Sequence, residues 1–223
     1  MTGLHLAAYF GIHRAVCVLL NNTANPDTKD TYSRTPLYWA AKNGHGSVVK
    51  MLLDTSKVDA DAKDKSEERT PLSLAAENDH ECVIKLLLAT GRVDTNSRSY
   101  DGRTPLSYTA AAGFGDIVRM LLNTENVIAD SKDNDDWTPL LYATARGHEC
   151  VARQLLATGM GDADLKDEGG RTPLSYAAGG GYDGTVKLLL GSWNVDADSK
   201  AKGYYSAGRT PLSYAAENGH EGS

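Results

Sequence analysis

Short stripes of apolar residues recur along this chain with helical spacing. In one of them the apolar positions fall at i, i+1, i+4 and i+5, occupied by Val48, Val49, Leu52 and Leu53. This spacing places the four side chains on one face of an α-helix. The stripe returns at residues 83–88 and 117–122, and in a weaker form with an alanine at 151–156. Because a helix of about nine residues does not persist alone in water, each stripe predicts burial against a neighbouring element.

The tripeptide Thr-Pro-Leu forms a second pattern, located ahead of the stripes. It begins at Thr35, Thr70, Thr104, Thr138, Thr172 and Thr210, with a degenerate copy at Thr2. Successive complete motifs are 34 or 35 residues apart, except for the last, which follows after 38. A threonine hydroxyl can cap a helix start, and proline suits the first helical position, whose N–H needs no partner. Each unit therefore predicts a first helix at the motif, a turn at a glycine such as Gly44, and a second helix at the stripe.

Units of this kind must stack, because none of them can bury its stripe alone. We predict an all-α solenoid in which residues 1–223 form a single array of about six to seven repeats. The chain begins inside a repeat and stops after the first helix of the seventh, so the first and last repeats are incomplete and we expect a fragment of a longer chain. Bare ends expose apolar stripes, which makes end-to-end self-association of the uncapped fragment an expectation.

The motif resembles the Thr-Pro-Leu-His-x-Ala signature of ankyrin repeats, which have a period of about 33 residues. The resemblance covers essentially the whole chain. It implies stacked helix-turn-helix units joined by β-hairpin-like fingers that project between helix pairs. More narrowly, Gly-Arg-Thr-Pro-Leu-Ser-Tyr-Ala-Ala at residues 170–178 and 208–216 resembles the long arrays of filamentous fungi. The family's histidine survives only as His5, so we expect the hydrogen bonds between repeats to follow a different pattern here.

The resemblance implies a non-catalytic scaffold that binds a partner protein through its concave face and finger tips. Fungal arrays of this kind often form the C-terminal part of large cytoplasmic, receptor-like proteins. This leaves an alternative open, in which the chain is a sensor or regulatory array that acts on its own effector domain.

Composition narrows the classes of partner and compartment. The formal net charge of −6 argues against nucleic acid, because phosphate binding needs a basic face. No apolar run approaches the roughly 18 residues that span a bilayer, so we expect no membrane segment. Cys17, Cys82 and Cys150 are odd in number and lie in predicted helices. We interpret them as reduced thiols of a cytoplasmic protein.

The sequence contains no motif that indicates a catalytic or metal-binding site. The turn histidines occupy one repeat position each, whereas a metal needs ligands that converge on one point, so we interpret them as structural. They are His45, His80, His148 and His220. No nucleophile elbow, phosphate-binding loop or metalloprotease helix occurs. We therefore predict no catalytic residue, no metal and no cofactor.

One position beside the motif is a stronger candidate for function. It is the residue directly before each motif threonine, and we call it the finger-base position. It is arginine in five of six complete motifs and tryptophan in the other: Arg34, Arg69, Arg103, Trp137, Arg171 and Arg209. Two interpretations are open. These side chains either bind a partner or pair with nearby aspartates and hold the fingers in register. The first-helix aromatics, which are Trp39, Tyr108, Tyr142, Tyr176 and Tyr214, are predicted to be core, with each polar atom reaching a partner.

Variable positions should carry the specificity for a partner. Exposed Tyr, Trp and Arg are common interface anchors. The last finger is four residues longer than its neighbours and contains Tyr204 and Tyr205, either as anchors or within a solvated insertion. Besides the finger-base position, the predicted protein-binding residues are Tyr32, Lys42, Glu68, Glu77, Tyr100, Arg146, Tyr204 and Tyr205.

Overall fold

The computed structural model describes residues 1–159, 162–192, 194–202 and 208–220. Within those ranges it contains 13 helices and no strand, which confirms the all-α prediction. The first helices of successive repeats are α1 (Gly3–Tyr9), α3 (Pro36–Lys42), α5 (Pro71–Glu77), α7 (Pro105–Ala112), α9 (Pro139–Ala145), α11 (Pro173–Gly179) and α13 (Pro211–Glu217). The second helices are α2 (His13–Asn21), α4 (Gly46–Asp54), α6 (Glu81–Leu88), α8 (Gly115–Leu122), α10 (Glu149–Ala157) and α12 (Asp183–Leu190).

The chain divides into two compact units, Met1–Pro105 and Leu106–Ser223. In the first unit α1, α3 and α5 pack side by side, and α2, α4 and α6 form a second layer behind them. In the second unit α9, α11 and α13 form one layer, and α8, α10 and α12 form the other. Each unit is thus a stack of helix pairs whose apolar stripes face inward.

The predicted stripes form the core of each unit. Val48, Val49 and Leu52 are fully buried, as are Leu37 and the alanines that follow it in α3. The same positions are buried in α6, α8 and α10. Burial against neighbouring repeats explains how helices this short are stable.

Motif threonines cap the first helices as predicted. Thr35 Oγ1 accepts a hydrogen bond from Tyr38 N at 3.1 Å, and Pro36 is the first helical residue. In the next repeat, Ser73 occupies the position of the family's histidine, and its Oγ accepts from Thr70 N at 3.0 Å. The serine thus completes the cap of its own helix. His5, by contrast, reaches Arg34 O in the next repeat, at 2.9 Å.

Turn histidines connect successive repeats. His80 Nε2 lies 3.1 Å from Lys42 O, and its ring covers the turn at Gly44. That glycine has φ +74°, and a Cβ there would lie 2.6 Å from His80 Nδ1. In the same way His45 reaches Tyr9 O at 2.9 Å and His148 reaches Ala111 O at 3.2 Å. The histidines therefore supply contacts between repeats that the motif serines do not.

Asp79 replaces the turn glycine in the third repeat and adopts the left-handed conformation with φ +59°. The described part of the chain includes no helix long and apolar enough to cross a bilayer. In the same residues, no group of three or more His, Cys, Asp or Glu side chains is arranged to hold a metal ion.

Candidate protein-binding surface

Each of the first five fingers turns around a buried polar side chain, which we call the finger carboxylate where it is an aspartate, whereas Ala201 occupies this position in the last finger. Asp30 Oδ1 accepts from Tyr32 N at 2.9 Å and from Arg34 N at 3.0 Å. Between these donors, Ser33 adopts the left-handed conformation with φ +60°. The finger thus closes on a carboxylate that takes up two backbone N–H groups.

The second to fifth fingers repeat this arrangement with local variations. Asp64 accepts from Arg69 N at 2.9 Å, Asp133 from Trp137 N at 2.8 Å, and Asp167 from Arg171 N at 2.8 Å. In the third finger a buried serine replaces the carboxylate, and Ser99 Oγ accepts from Arg103 N at 3.1 Å. The sequence did not predict the role of Ser99, because Asp101 lies in the same segment and could have supplied the carboxylate.

Backbone hydrogen bonds also join neighbouring fingers. In the first unit, Lys65 N donates to Tyr32 O at 2.9 Å and Tyr100 N donates to Glu67 O at 2.8 Å. In the second unit, Lys202 N donates to Gly169 O at 2.8 Å. The fingers of each unit are therefore linked to each other, and their tips are presented on an ordered backbone.

In the first unit, the finger-base arginines make both ionic and aromatic contacts. Arg34 Nε lies 2.9 Å from Asp30 Oδ2, and its guanidinium lies 4.6 Å from the ring centroids of Tyr32 and Trp39. Arg103 Nε lies 3.0 Å from Asp101 Oδ2. Arg69 pairs with Glu67 at 2.7 Å and also with Glu77 in the last turn of α5.

In the second unit the same position is more exposed. Arg171 Nε lies 3.1 Å from Asp167 Oδ2, its guanidinium lies 4.6 Å from the Tyr176 ring centroid, and 40% of its side chain is exposed. Arg209 pairs with Glu217 and lies 5.7 Å from the Tyr214 ring centroid. For comparison, 22% of the Arg34 side chain is exposed. These contacts favour a role in finger register for Arg34, while Arg171 and Arg209 also offer accessible guanidinium surface.

Trp137 is the exception at the finger-base position. Its ring centroid lies 5.0 Å from that of Tyr142 in the same repeat and 4.9 Å from that of Tyr176 in the next. The hydroxyl groups of these two tyrosines donate to finger carboxylates: Tyr142 donates to Asp133, and Tyr176 donates to Asp167. Three aromatic rings thus meet at this finger base, and Trp137 remains half-buried.

Asp30 and two tyrosines of the first helices, Tyr38 and Tyr176, have shifted pKa values. Burial opposes ionisation of Asp30, but the hydrogen bonds from Arg34 and Tyr32 outweigh it and lower the pKa of that carboxyl. Burial, followed by the charge of Asp64, raises the pKa of Tyr38 to about 12. Burial and the Asp167 carboxylate raise the pKa of Tyr176 well above its ordinary value. Both tyrosines stay protonated at neutral pH, and the Tyr176 hydroxyl donates to Asp167.

The remaining predicted residues lie at finger tips or at the ends of first helices. Tyr32 is 53% exposed and Tyr100 is 75% exposed, and Glu68, with φ +53°, is exposed at the next tip. Lys42 Nζ lies 5.9 Å from the Trp39 ring centroid. Arg146 is exposed and donates to Ala111 O at 2.9 Å. Tyr204 and Tyr205 lie outside the described residues.

The predicted core aromatics agree with the structure only in part. Trp39, Tyr108 and Tyr142 are buried, but Tyr176 and Tyr214 are partly exposed. Trp39 Nε1 and Tyr214 Oη are buried without a hydrogen-bond partner among the described residues, so the prediction that every polar atom reaches a partner was wrong. Trp39 was also missed as a neighbour of Arg34. The signal was present, since an aromatic follows the finger-base arginine by five residues in four repeats.

Comparisons with known proteins agree with this geometry. A family model described as ankyrin repeats in three copies matches residues 1–64, 55–133, 83–160, 125–202 and 153–222. The ankyrin repeat domain of human ASB11 superposes with a TM-score of 0.82 at 22% sequence identity, covering 96% of this chain and 92% of that domain. Rabankyrin-5 of mouse and of human are each 33% identical over 64 residues, which is 29% of this chain. The chain matches only 6% of the length of these two curated relatives.

Proposed function

The chain belongs to the ankyrin-repeat family, whose fold is typically a non-catalytic interaction module, and on this premise we propose that it binds a partner protein through its finger tips and first-helix ends. In the family these elements line the concave face. We include in the proposal that the chain performs no catalysis of its own and that it acts in the cytoplasm. Free thiols at the exposed Cys82 and Cys150 support a reducing compartment.

One observation carries the proposal: large exposed side chains project from fingers whose backbone is already ordered. Tyr32 and Tyr100 are more than half exposed, yet their backbone groups bond to Asp30 and to neighbouring fingers. An anchor on an ordered backbone loses little conformational entropy when it binds. Tyrosine also gives a large contact area with few rotatable bonds. The fingers are therefore suited to bind a surface.

The charges on this surface favour protein over nucleic acid. Finger-base arginines pair with carboxylates within their own repeat, as Arg34 does with Asp30 and Arg171 with Asp167. These guanidinium groups are partly neutralised before any partner arrives. Phosphate backbones instead need a continuous basic surface. The net charge of −6 points in the same direction.

Site-specific photocrosslinking tests the proposal. A photoreactive phenylalanine analogue is placed at Tyr100 in one variant and at Lys85 on α6, which is 62% exposed, in a matched control. In the second unit the pair is Trp137 and Arg153 on α10, whose side chain is 61% exposed. Each variant is irradiated in extract from the source cells, and adducts are identified by mass spectrometry. We expect the same partner from both finger positions, and little from the controls.

Equal labelling from the second-helix positions would place the partner elsewhere and overturn the proposal. Adducts that lack a common partner at Tyr100 and Trp137 would also contradict it.

Three further predictions stay open. That residues 1–223 form one array within a longer chain remains a prediction, and so does the alternative of a sensor array acting on its own effector domain. End-to-end self-association has a physical basis in exposed apolar side chains, Phe10 and Val18 in the first repeat and Leu212 on α13. Sedimentation at increasing protein concentration tests it, and a species that stays monomeric throughout would contradict it.

A further inference from the structure

The finger-base position normally supplies a cation that lies on an aromatic ring. Arg34 lies 4.6 Å from the ring centroid of Trp39, and Arg171 lies 4.6 Å from that of Tyr176. Each arginine also reaches its finger carboxylate, so that the guanidinium lies between a ring and an anion. Both repeats therefore combine three groups: an arginine, an aromatic ring five residues later and an acidic finger.

The fifth repeat keeps the aromatic ring and the acidic finger but has no cation at this position. Tyr142 provides the ring and Asp133 the finger carboxylate, while Trp137 occupies the finger-base position. One consequence is a gain in aromatic surface, because the ring centroid of Trp137 lies 5.0 Å from that of Tyr142 and 4.9 Å from that of Tyr176. Tryptophan is also the side chain that attracts cations most strongly through its ring face.

The charges around Trp137 favour a cation as well. Asp135 and Asp136 are exposed in the turn directly before it. Lys132 is the basic group of this finger and pairs with Asp136 at 3.2 Å. The segment 132–137 therefore carries three aspartates against one lysine, so that a half-buried indole ring stands beside an acidic turn.

We propose that the finger base of the fifth repeat binds an arginine side chain of the partner protein, with its guanidinium on the Trp137 ring beside the carboxylate of Asp135. The partner thereby supplies the group that the other complete repeats carry themselves. Arginine fits better than lysine, because its planar guanidinium stacks on aromatic faces and pairs with carboxylates through two N–H groups. This inference rests on the proposed function and specifies the chemistry of the partner.

A peptide titration tests the inference on the whole chain. The probe is a fluorescent Gly-Arg-Gly peptide with blocked ends, and the control peptide carries citrulline, which has the shape of arginine but no charge. Binding is followed by fluorescence anisotropy, and the indole N–H resonance of Trp137 is followed by NMR. We expect millimolar binding of the arginine peptide, a shift of the Trp137 resonance, and at least about fivefold weaker binding of the citrulline peptide.

Two variants complete the design. Trp137→Arg restores the residue of the other repeats and should fold, and we expect it to bind the arginine peptide at least about fivefold more weakly than the wild type. Asp135→Asn removes an exposed charge without touching the ring, and we expect a loss of about two- to fivefold. Equal affinity for the citrulline peptide, unchanged affinity in Trp137→Arg, or a Trp137 resonance that does not move would each overturn the inference.

The photocrosslinking experiment separates this inference from the proposed function. If Trp137→Arg still crosslinks its partner from Tyr100 while the arginine peptide fails to bind the wild type, the scaffold proposal stands and the inference falls. If the wild type crosslinks no common partner at its fingers, the scaffold proposal falls, whatever the peptide does.

Discussion

The finger that ends in Arg34 and the finger that ends in Trp137 close on a buried aspartate in the same way, although the finger-base position is an arginine in one and a tryptophan in the other. Asp30 accepts from the backbone N–H groups of Tyr32 and Arg34. Asp133 accepts in the same way from Asp135 N at 3.0 Å and Trp137 N at 2.8 Å. An arginine in one finger and an indole in the other leave this arrangement unchanged.

The comparison teaches that the carboxylate closes the finger, not the side chain at the finger-base position. A buried acceptor that satisfies two backbone donors is costly to remove, because the donors are then left without partners. The finger-base side chain reaches outward over an aromatic ring and is partly exposed in both fingers. It can therefore change in chemistry while the fold is kept, which is what a binding position requires.

Removal of the finger carboxylate should have the largest effect on the stability of both fingers. We expect Asp30→Ala and Asp133→Ala each to lower the free energy of unfolding by about 2–4 kcal/mol, because two backbone donors lose their acceptor in both fingers. For a chain of this size that corresponds to a fall in melting temperature of roughly 5–15 °C. Thermal unfolding followed by circular dichroism measures both.

Asp116→Ala is the control for that experiment, since Asp116 is 80% exposed and pairs with Arg119 on α8, which is 63% exposed. Its expected effect is under about 0.5 kcal/mol. If Asp133→Ala behaved like this control while Asp30→Ala did not, the two fingers would not be closed by the same device.

Changes at the finger-base position sharpen the comparison with smaller effects. Trp137→Ala removes two aromatic contacts and partly buried surface, so we expect a loss of about 2 kcal/mol. Arg34→Ala removes one ion pair and a cation–π contact, for which we expect about 1 kcal/mol. Trp137→Arg should stay within about 1 kcal/mol of the wild type, because the fold accepts arginine at this position in the other complete repeats. Urea unfolding curves are suitable for differences of this size.

A large loss of stability in Trp137→Arg would show that the tryptophan is needed for the fold. The finger-base position would then be structural in the fifth repeat, and its value as a binding site would be lost.

The smallest expected effect distinguishes the finger carboxylate of Asp30 from Asp61, which lies between α4 and the next finger. Asp61 accepts from the backbone N–H of Asp94, but burial, followed by the charges of Asp94 and Asp59, raises its pKa. A raised pKa favours the folded state below the unfolded pKa, and this contribution is lost as the pH rises through the folded value. Asp61→Asn should therefore raise the urea midpoint slightly at pH 7, and the gain should decrease on acidification and vanish below the unfolded pKa.

Asp30 should behave in the opposite way, because its pKa is lowered. Its contribution is present above the unfolded pKa and is lost as the pH falls through the folded value. Asp30→Asn should therefore destabilise at pH 7 and less so near pH 3. Changes of equal sign in the two variants at pH 7 would contradict the distinction.

Local patterns predicted most of the fold. The caps at Thr35 and Thr70, the turn at Gly44 and the buried stripe at residues 48–53 all depend on residues close in sequence, and all are as expected. The partners of the arginines were less predictable. Arg69 pairs with Glu67 in its finger and also with Glu77, eight residues later at the end of the first helix, and Arg209 pairs with Glu217 at the same spacing. Long side chains have several carboxylates within reach, and only the folded geometry selects between them.

The backbone bonds between neighbouring fingers have a consequence for evolution. Lys65 N to Tyr32 O and Tyr100 N to Glu67 O depend on the main chain and not on the identity of the four residues. Mutation can therefore change the side chains of the tips one by one without breaking the hydrogen bonds between neighbouring fingers, provided that the buried acceptor of each finger is retained. Natural selection can explore new partners on this surface at little cost to the fold. A randomised library built at these tips has the same freedom.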